Sequence, residues 1–142
     1  REQLVRLIRS VRPALLVLPD PTVVISADGV VHGPDRRAAG CAALDAAEQA
    51  SRPAAFPDHL RHDSLDPWET PRLLLCRPGH DGAGVDIAAS LDRKVDAVLT
   101  HASVVADAER GGAAVRDLAE RSGAPYGLAA GEVARLIAVS EG

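Results

Sequence analysis

Residues 71 to 91 read PRLLLCRPGHDGAGVDIAASL, and the fold class follows from how this stretch divides. Leu73, Leu74, Leu75 and Cys76 form an unbroken apolar run behind Pro71, the pattern of a strand covered on both faces. Arg77, Pro78, Gly79, His80, Asp81, Gly82 and Gly84 then supply turn chemistry. Val85, Ile87, Ala88 and Leu91 follow near helical spacing, so the stretch reads as strand, loop, helix. In open α/β sheets ligands bind beyond the carboxyl ends of the strands, which puts His80 and Asp81 where a site is usually built.

Downstream, residues 95 to 100 read as a second apolar strand ending at His101. Ser103 is placed to cap a helix carrying Val104, Ala108, Val115, Leu118 and Ala119, with a break at Gly111 and Gly112, where two glycines cost about 2 kcal/mol relative to alanines. Gly123 reads as the cap that ends it, residues 125 to 129 as a short strand, and residues 131 to 140 as a closing helix with Val133, Leu136 and Ile137 inward. Alternating strands and helices joined by right-handed crossovers imply a parallel sheet with helices on its faces.

Upstream, Leu4, Leu7, Ile8 and Val11 share one face of a short helix over residues 1 to 11, closed by Pro13. Residues 14 to 18 read as a buried strand. Residues 22 to 26 and 29 to 32 read as an antiparallel hairpin turning at Asp28-Gly29. Gly33-Pro34-Asp35 has the composition of a helix start, and residues 38 to 50 continue it with a buried stripe of Ala38, Cys41, Leu44 and Ala47. Residues 51 to 70 carry Pro53, Pro57 and Pro67 and read as a long excursion anchored by Phe56, Leu60 and Trp68. The expected fold is a single three-layer α/β domain over residues 1 to 142, mostly parallel, with an antiparallel hairpin near the N-terminus.

A chain of 142 residues is long enough to bury a core. That core must be aliphatic, because the aromatics are only Phe56, Trp68 and Tyr126. A net charge of −4 does not fit a polyanion binder that works by neutralising phosphates. Cys41 and Cys76 are too few for a disulfide framework, and no apolar run reaches the ~20 residues of a membrane span. A cytoplasmic location is expected, with no nucleic-acid or membrane partner. Lys94 is the only lysine among many arginines, and together with abundant Ala, Gly and Pro it points to a GC-rich bacterial source. The chain contains no methionine. It therefore reads as part of a longer polypeptide, with a neighbouring domain as a partner.

The expected ligand-binding residues are Gly79, His80, Asp81, Gly82, Gly84, His101 and Ser103, gathered where three strands would end. Backbone N–H groups from Gly82 to Val85, at a helix start, would suit a small anionic ligand. Stricter motifs are incomplete. A P-loop needs Lys and Ser or Thr where Val85 and Asp86 stand. A phosphatase loop of Cys-x5-Arg type finds Gly82 in place of the arginine, and a cobalamin-binding Asp-x-His-x-x-Gly loop finds Pro78 and Ala83 in place of the aspartate and glycine. His59, His62 and Asp63 would need a distant ligand such as His80 or His101 to hold a metal, so no metal and no cofactor are assigned. Ser103, His101 and Asp107 offer the residue types of nucleophilic catalysis, but a cap and a solvated helix face account for them.

Leu118 to Gly123 resembles the first helix and turn of helix-turn-helix DNA readers, which would extend over residues 113 to 139. Residues 110 to 142 balance four arginines with four acids, which removes the basic footprint such a reader needs. The leading expectation is a noncatalytic regulatory or small-anion-binding domain of a larger bacterial protein. The alternative is a small enzyme with His80 or His101 as general base, Asp81 as its orienting partner, and an anionic substrate.

Overall fold

A computed structural model describes residues 1–25, 31–79 and 81–139. The elements in order are α1 (Glu2–Val11), β1 (Leu16–Pro19), α2 (Pro34–Ser51), α3 (Pro57–Asp63), β2 (Arg72–Cys76), β3 (Ala83–Asp86), α4 (Leu91–Leu99), α5 (Ala108–Gly123) and β4 (Gly131–Ala138). The strands form one mixed sheet in the order β1-β2-β4-β3. β1 runs parallel to β2, with Leu16 opposite Leu73 and Pro19 opposite Cys76, whereas β3 runs antiparallel to β4. The chain divides into two compact units, Arg1–Asp81 with Arg135–Gly142, and Gly82–Ala134.

In the first unit, α2 lies on one face of β1 and β2. Leu18, Leu73 and Leu75 are buried there, with Leu16, Ala43, Leu44 and Ile137 packed against them. A second cluster of Val5, Ile8, Ala46 and Ala50 joins α1 to α2, and Phe56 and Trp68 close over it. The expected stripe on α1 is thus rotated. Val5, Ile8 and Arg9 are buried, while Leu7 and Val11 are exposed. On α2 the buried residues are Gly40, Ala46 and Ala50, and Cys41 is exposed. Gly40 has a packing reason. A Cβ there would lie 2.5 Å from the Pro19 carbonyl oxygen, so the glycine lets the helix press against the end of β1.

The stretch 51–70 is not wholly irregular, since Pro57 opens α3 within it. Phe56 and Trp68 anchor it as expected, whereas Leu60 is largely exposed. The Trp68 indole donates to the Pro13 carbonyl at 3.1 Å and Arg12 lies over its ring. At the hairpin, Ile25 bridges Val31 in antiparallel fashion and the His32 N–H donates to the Val24 carbonyl at 2.8 Å. Its Asp28-Gly29 turn lies outside the described residues.

From Ala83 onward the expected order of elements is overturned. Residues 83–86, expected as the end of a turn and the start of a helix, are strand β3. Residues 95 to 100, expected as a strand, belong almost entirely to α4, and Gly131–Ala138, in the stretch expected as a helix, is β4. Residues 124–126 form a single 3-10 turn rather than the start of a strand. α5 runs unbroken through Gly111 and Gly112; a Cβ on Gly111 would collide with Val105, whereas one on Gly112 would make ordinary contact with Val95. Gly123 is the last helical residue of α5, and a Cβ on it would meet the Leu128 carbonyl and the Gly131 N–H at 2.8 Å. With β4 where a recognition helix would stand, residues 113–139 are not a helix-turn-helix.

Candidate functional site

The carboxyl ends of the parallel pair β1 and β2 meet at one carbonyl. The Cys76 carbonyl accepts the Asp20 N–H at 3.4 Å and an Arg36 Nη2–H at 2.7 Å. Arg36 reaches it because it sits in the first turn of α2, one turn before the close approach at Gly40.

Asp20 is 2% exposed, a carboxylate taken almost fully out of water. Such a group persists only if its oxygens are bonded. The Thr22 N–H and hydroxyl donate to its Oδ1 at 2.9 and 2.6 Å, and the Gly79 N–H donates as well. Burial alone would push its carboxyl up. The bonds from Thr22 and Gly79, with the charge of Arg135, outweigh that and hold it below the ordinary carboxylate value. The Arg36 guanidinium is pushed down by burial first and by Arg77 second, against the pull of Cys76 and Asp20.

Asp20 therefore ties the end of β1 to the loop that leaves β2. That loop is bracketed by two non-glycine residues in the left-handed region, Arg77 at φ 53° and Asp81 at φ 55°. Asp tolerates this conformation, while a long side chain such as Arg adopts it only where surroundings impose it, at roughly 1–3 kcal/mol. His32, buried at 6% exposure, sits beside the start of α2, and Arg37 donates to its carbonyl at 2.8 Å.

The residues expected from sequence divide between the two units. Gly79 and Asp81 belong to the first unit, Gly79 directly on Asp20. His80 lies outside the described residues. Gly82, Gly84, His101 and Ser103 belong to the second unit. The Gly82 carbonyl accepts the Tyr126 hydroxyl at 3.0 Å, and Gly84 is small because the Tyr126 ring lies against it. Because Ala83–Asp86 is a strand, its N–H groups do not form a helix start. His101 and Ser103 are exposed, and the cap of α5 is Asp107, whose carboxylate accepts the Arg110 N–H at 3.0 Å. The residues that sequence reading missed are Asp20, Arg36 and Arg135. Asp20 stands between Pro19 and Pro21 and reads as loop punctuation, while the arginines resemble any solvated helix or strand face.

Nor do the metal candidates converge. His59 is buried and stacks on Phe56 with ring centroids 5.3 Å apart, while Asp63 pairs with Arg6 at 2.6 Å. Among the described residues no three His, Cys, Asp or Glu side chains come together to hold a metal ion.

Fold and site define a mixed α/β domain with a buried polar cluster at its strand ends. No family model and no curated protein matches the chain. Solved structures do. The chain is similar to N,N'-diacetylchitobiose deacetylase from Pyrococcus horikoshii, with a TM-score of 0.78 and 22% identity over 96% of this chain and 50% of that one. It is similar to a conserved protein from Thermus thermophilus, with a TM-score of 0.69 and 23% identity over 99% of this chain and 59% of that one. It is also similar to the 4-carboxy-2-hydroxymuconate hydratase of Pseudomonas putida, with a TM-score of 0.64 and 15% identity over 99% and 59%. The chain thus spans between half and three fifths of these proteins' lengths. The likeness corrects the expectation of a noncatalytic regulatory domain. That expectation rested on incomplete motifs, yet the neighbours with a named activity are enzymes. Among the described residues no helix is long and apolar enough to cross a membrane.

Proposed function

We propose that this chain is part of a small-molecule enzyme that activates water for attack on its substrate, with the loop after β2 as the catalytic loop. The observation that carries the reading is Asp20: a buried carboxylate holds Gly79, in the loop that leaves β2. A deacetylase delivers water to an acyl carbon and a hydratase delivers it to a polarised double bond, so the activities named for the neighbours share a need for a positioned base.

In this reading His80 or His101 takes the proton from water. Asp81 is the orienting partner of His80, its neighbour in sequence, and Asp20 is a positioning residue that holds the loop. The reading takes the protein to work in a reducing bacterial cytoplasm, in keeping with a chain of only two cysteines. Three α/β layers are proposed for the intact protein, supported by the exposed apolar positions Val17 and Leu136 on the strands.

The test is turnover of a panel of N-acetylated amines and unsaturated carboxylates, with pH-rate profiles. General-base catalysis contributes about 10²–10⁴-fold, so His80→Ala or His101→Ala should lower turnover by at least the smaller factor. Turnover that survives both substitutions equally refutes the assignment.

A further inference from the structure

Leu44, Ala47, Glu48 and Ser51 recur on α2 at i, i+3, i+4 and i+7, so they share one face of the helix. That face fronts a cleft of about 670 Å³, whose other walls come from the chain entering β2 and from the residue just beyond β4. All of the lining belongs to the first compact unit. The volume is that of a small-molecule site. Leu44, Ala47, Leu73 and Val139 make the walls apolar, and Glu48, Arg52, Glu69 and Thr70 add polar groups.

Backbone bonds fix these walls. The Trp68 N–H donates to the Ala50 carbonyl at 2.9 Å, which ties the chain entering β2 to the last turn of α2. The Val139 N–H donates to the Pro71 carbonyl at 3.0 Å. Arg9 clamps the same end of α2 through the carbonyls of Gln49, Ala50 and Arg52. A cleft held in this way is preorganised, which lowers the cost of binding.

Two features define what would fit. Thr70 is 3% exposed and its hydroxyl has no hydrogen-bond partner. Native proteins leave few buried polar groups in that state, and one on a cleft wall marks a place for a partner from outside the chain. The charges are also unbalanced. Arg52 is neutralised by its ion pair with Glu48, whereas the Glu69 carboxylate pairs with no cation among the described residues. An ammonium group, a donor with no acceptor capacity, answers both the carboxylate and the hydroxyl oxygen.

We infer that this cleft binds a small free molecule with an apolar body and an ammonium group, the body against Leu44, Leu73 and Val139 and the ammonium donating to Glu69 and Thr70. Burial of the body supplies the affinity, while a charge at an exposed rim chiefly sets selectivity. The cleft lies at the amino end of β2, and the candidate catalytic loop leaves the carboxyl end at Cys76, so the inference does not depend on the enzyme reading.

The experiment is titration of the full chain at neutral pH with hexylamine, hexanol and sodium hexanoate at equal ionic strength, followed by amide chemical shifts. Saturable shifts at Leu44, Leu73 and Val139 are expected. Hexylamine should bind about two- to fivefold more tightly than hexanol, the range an exposed ion pair gives, and hexanoate should bind most weakly. Glu69→Lys, at an exposed position, should reverse that order in favour of hexanoate. Asp117→Lys, the same charge change in the other unit, should leave the order as it is. Thr70→Val removes the unpaired hydroxyl, so the variant should remain folded and bind hexylamine more weakly. Ser51→Trp, which fills the cleft, should weaken all three probes by about tenfold or more. The inference is overturned by the absence of a saturable response to any probe or by a preference of the wild type for hexanoate. Hexylamine binding that neither Glu69→Lys nor Thr70→Val weakens, or that Glu69→Lys and Asp117→Lys weaken equally, overturns it as well.

Discussion

Replacing Arg9 by methionine keeps the aliphatic stem and removes a guanidinium that is 2% exposed and has no carboxylate partner in its hydrogen bonding. Arg9 instead donates to five carbonyls at the end of α2 and the turn beyond it. The Nε–H reaches Ala50 at 3.2 Å, Nη2 reaches Arg52 at 2.8 Å and Ala55 at 2.9 Å, and longer bonds run to Gln49 and Phe56 at 3.4 Å. Gln49 and Ala50 belong to the last turn of α2, where a cation also meets the negative end of the dipole, and Arg52, Ala55 and Phe56 lie in the turn beyond it. Charge-assisted bonds contribute about 1.5–3 kcal/mol each, and three are short, but burying the charge opposes them. A net loss of about 3–5 kcal/mol is therefore expected, which at a slope of about 2 kcal/mol per molar urea lowers the midpoint by about 2 M. Arg9→Lys should recover only part of this, because one ammonium cannot reach carbonyls spread over residues 49 to 56. Urea unfolding followed by circular dichroism measures both. A loss below about 1 kcal/mol for Arg9→Met would mean that the turn closes without the clamp, and the reasoning would fail.

The Asp20 carboxyl is held below its ordinary value, so its stabilising effect is complete above the unfolded value near pH 4 and is lost as pH falls through the lower folded value. Asp20→Asn should accordingly lower stability at pH 7 by about 1–3 kcal/mol and flatten the acid side of the stability-pH curve; an unchanged acid side would refute the assignment. Gly84→Ala should cost about 1–3 kcal/mol, since the new methyl would sit 2.5 Å from the Tyr126 ring while that ring is pinned by its hydroxyl bond to Gly82. In a double-mutant cycle with Tyr126→Ala most of that cost should vanish, and additive losses would count against the close contact.

The first half of the chain was legible in its sequence because local signals there agree with one another. Pro13 closes α1, Gly33-Pro34-Asp35 opens α2, and the run Leu73 to Cys76 is strand β2. Each of these is decided by backbone chemistry or by an apolar run too short for a helix. Gly131 to Ala138 shows the opposite case. GEVARLIA carries apolar residues at positions compatible with either period, and it becomes a strand because β3 pairs along Gly131 to Ala134, and the Val139 N–H just beyond it reaches the Pro71 carbonyl. Likewise Val95 and Val98 suit a strand in isolation, but α5 offers a helical face through Gly112 on which Val95 packs. The site divides in the same way. The loop carrying Gly79 and Asp81 was visible from its glycines and its place after an apolar run. Asp20, Arg36 and Arg135 were not, because a charged residue's environment is set by partners distant in sequence: Asp20 meets Gly79 and Arg36 meets Cys76 only once β1 and β2 lie side by side. Local sequence could determine where the chain turns and which runs are apolar, since those depend on neighbours along the backbone. Which polar groups lose their water, and which of them then face one another, was decided by tertiary packing alone.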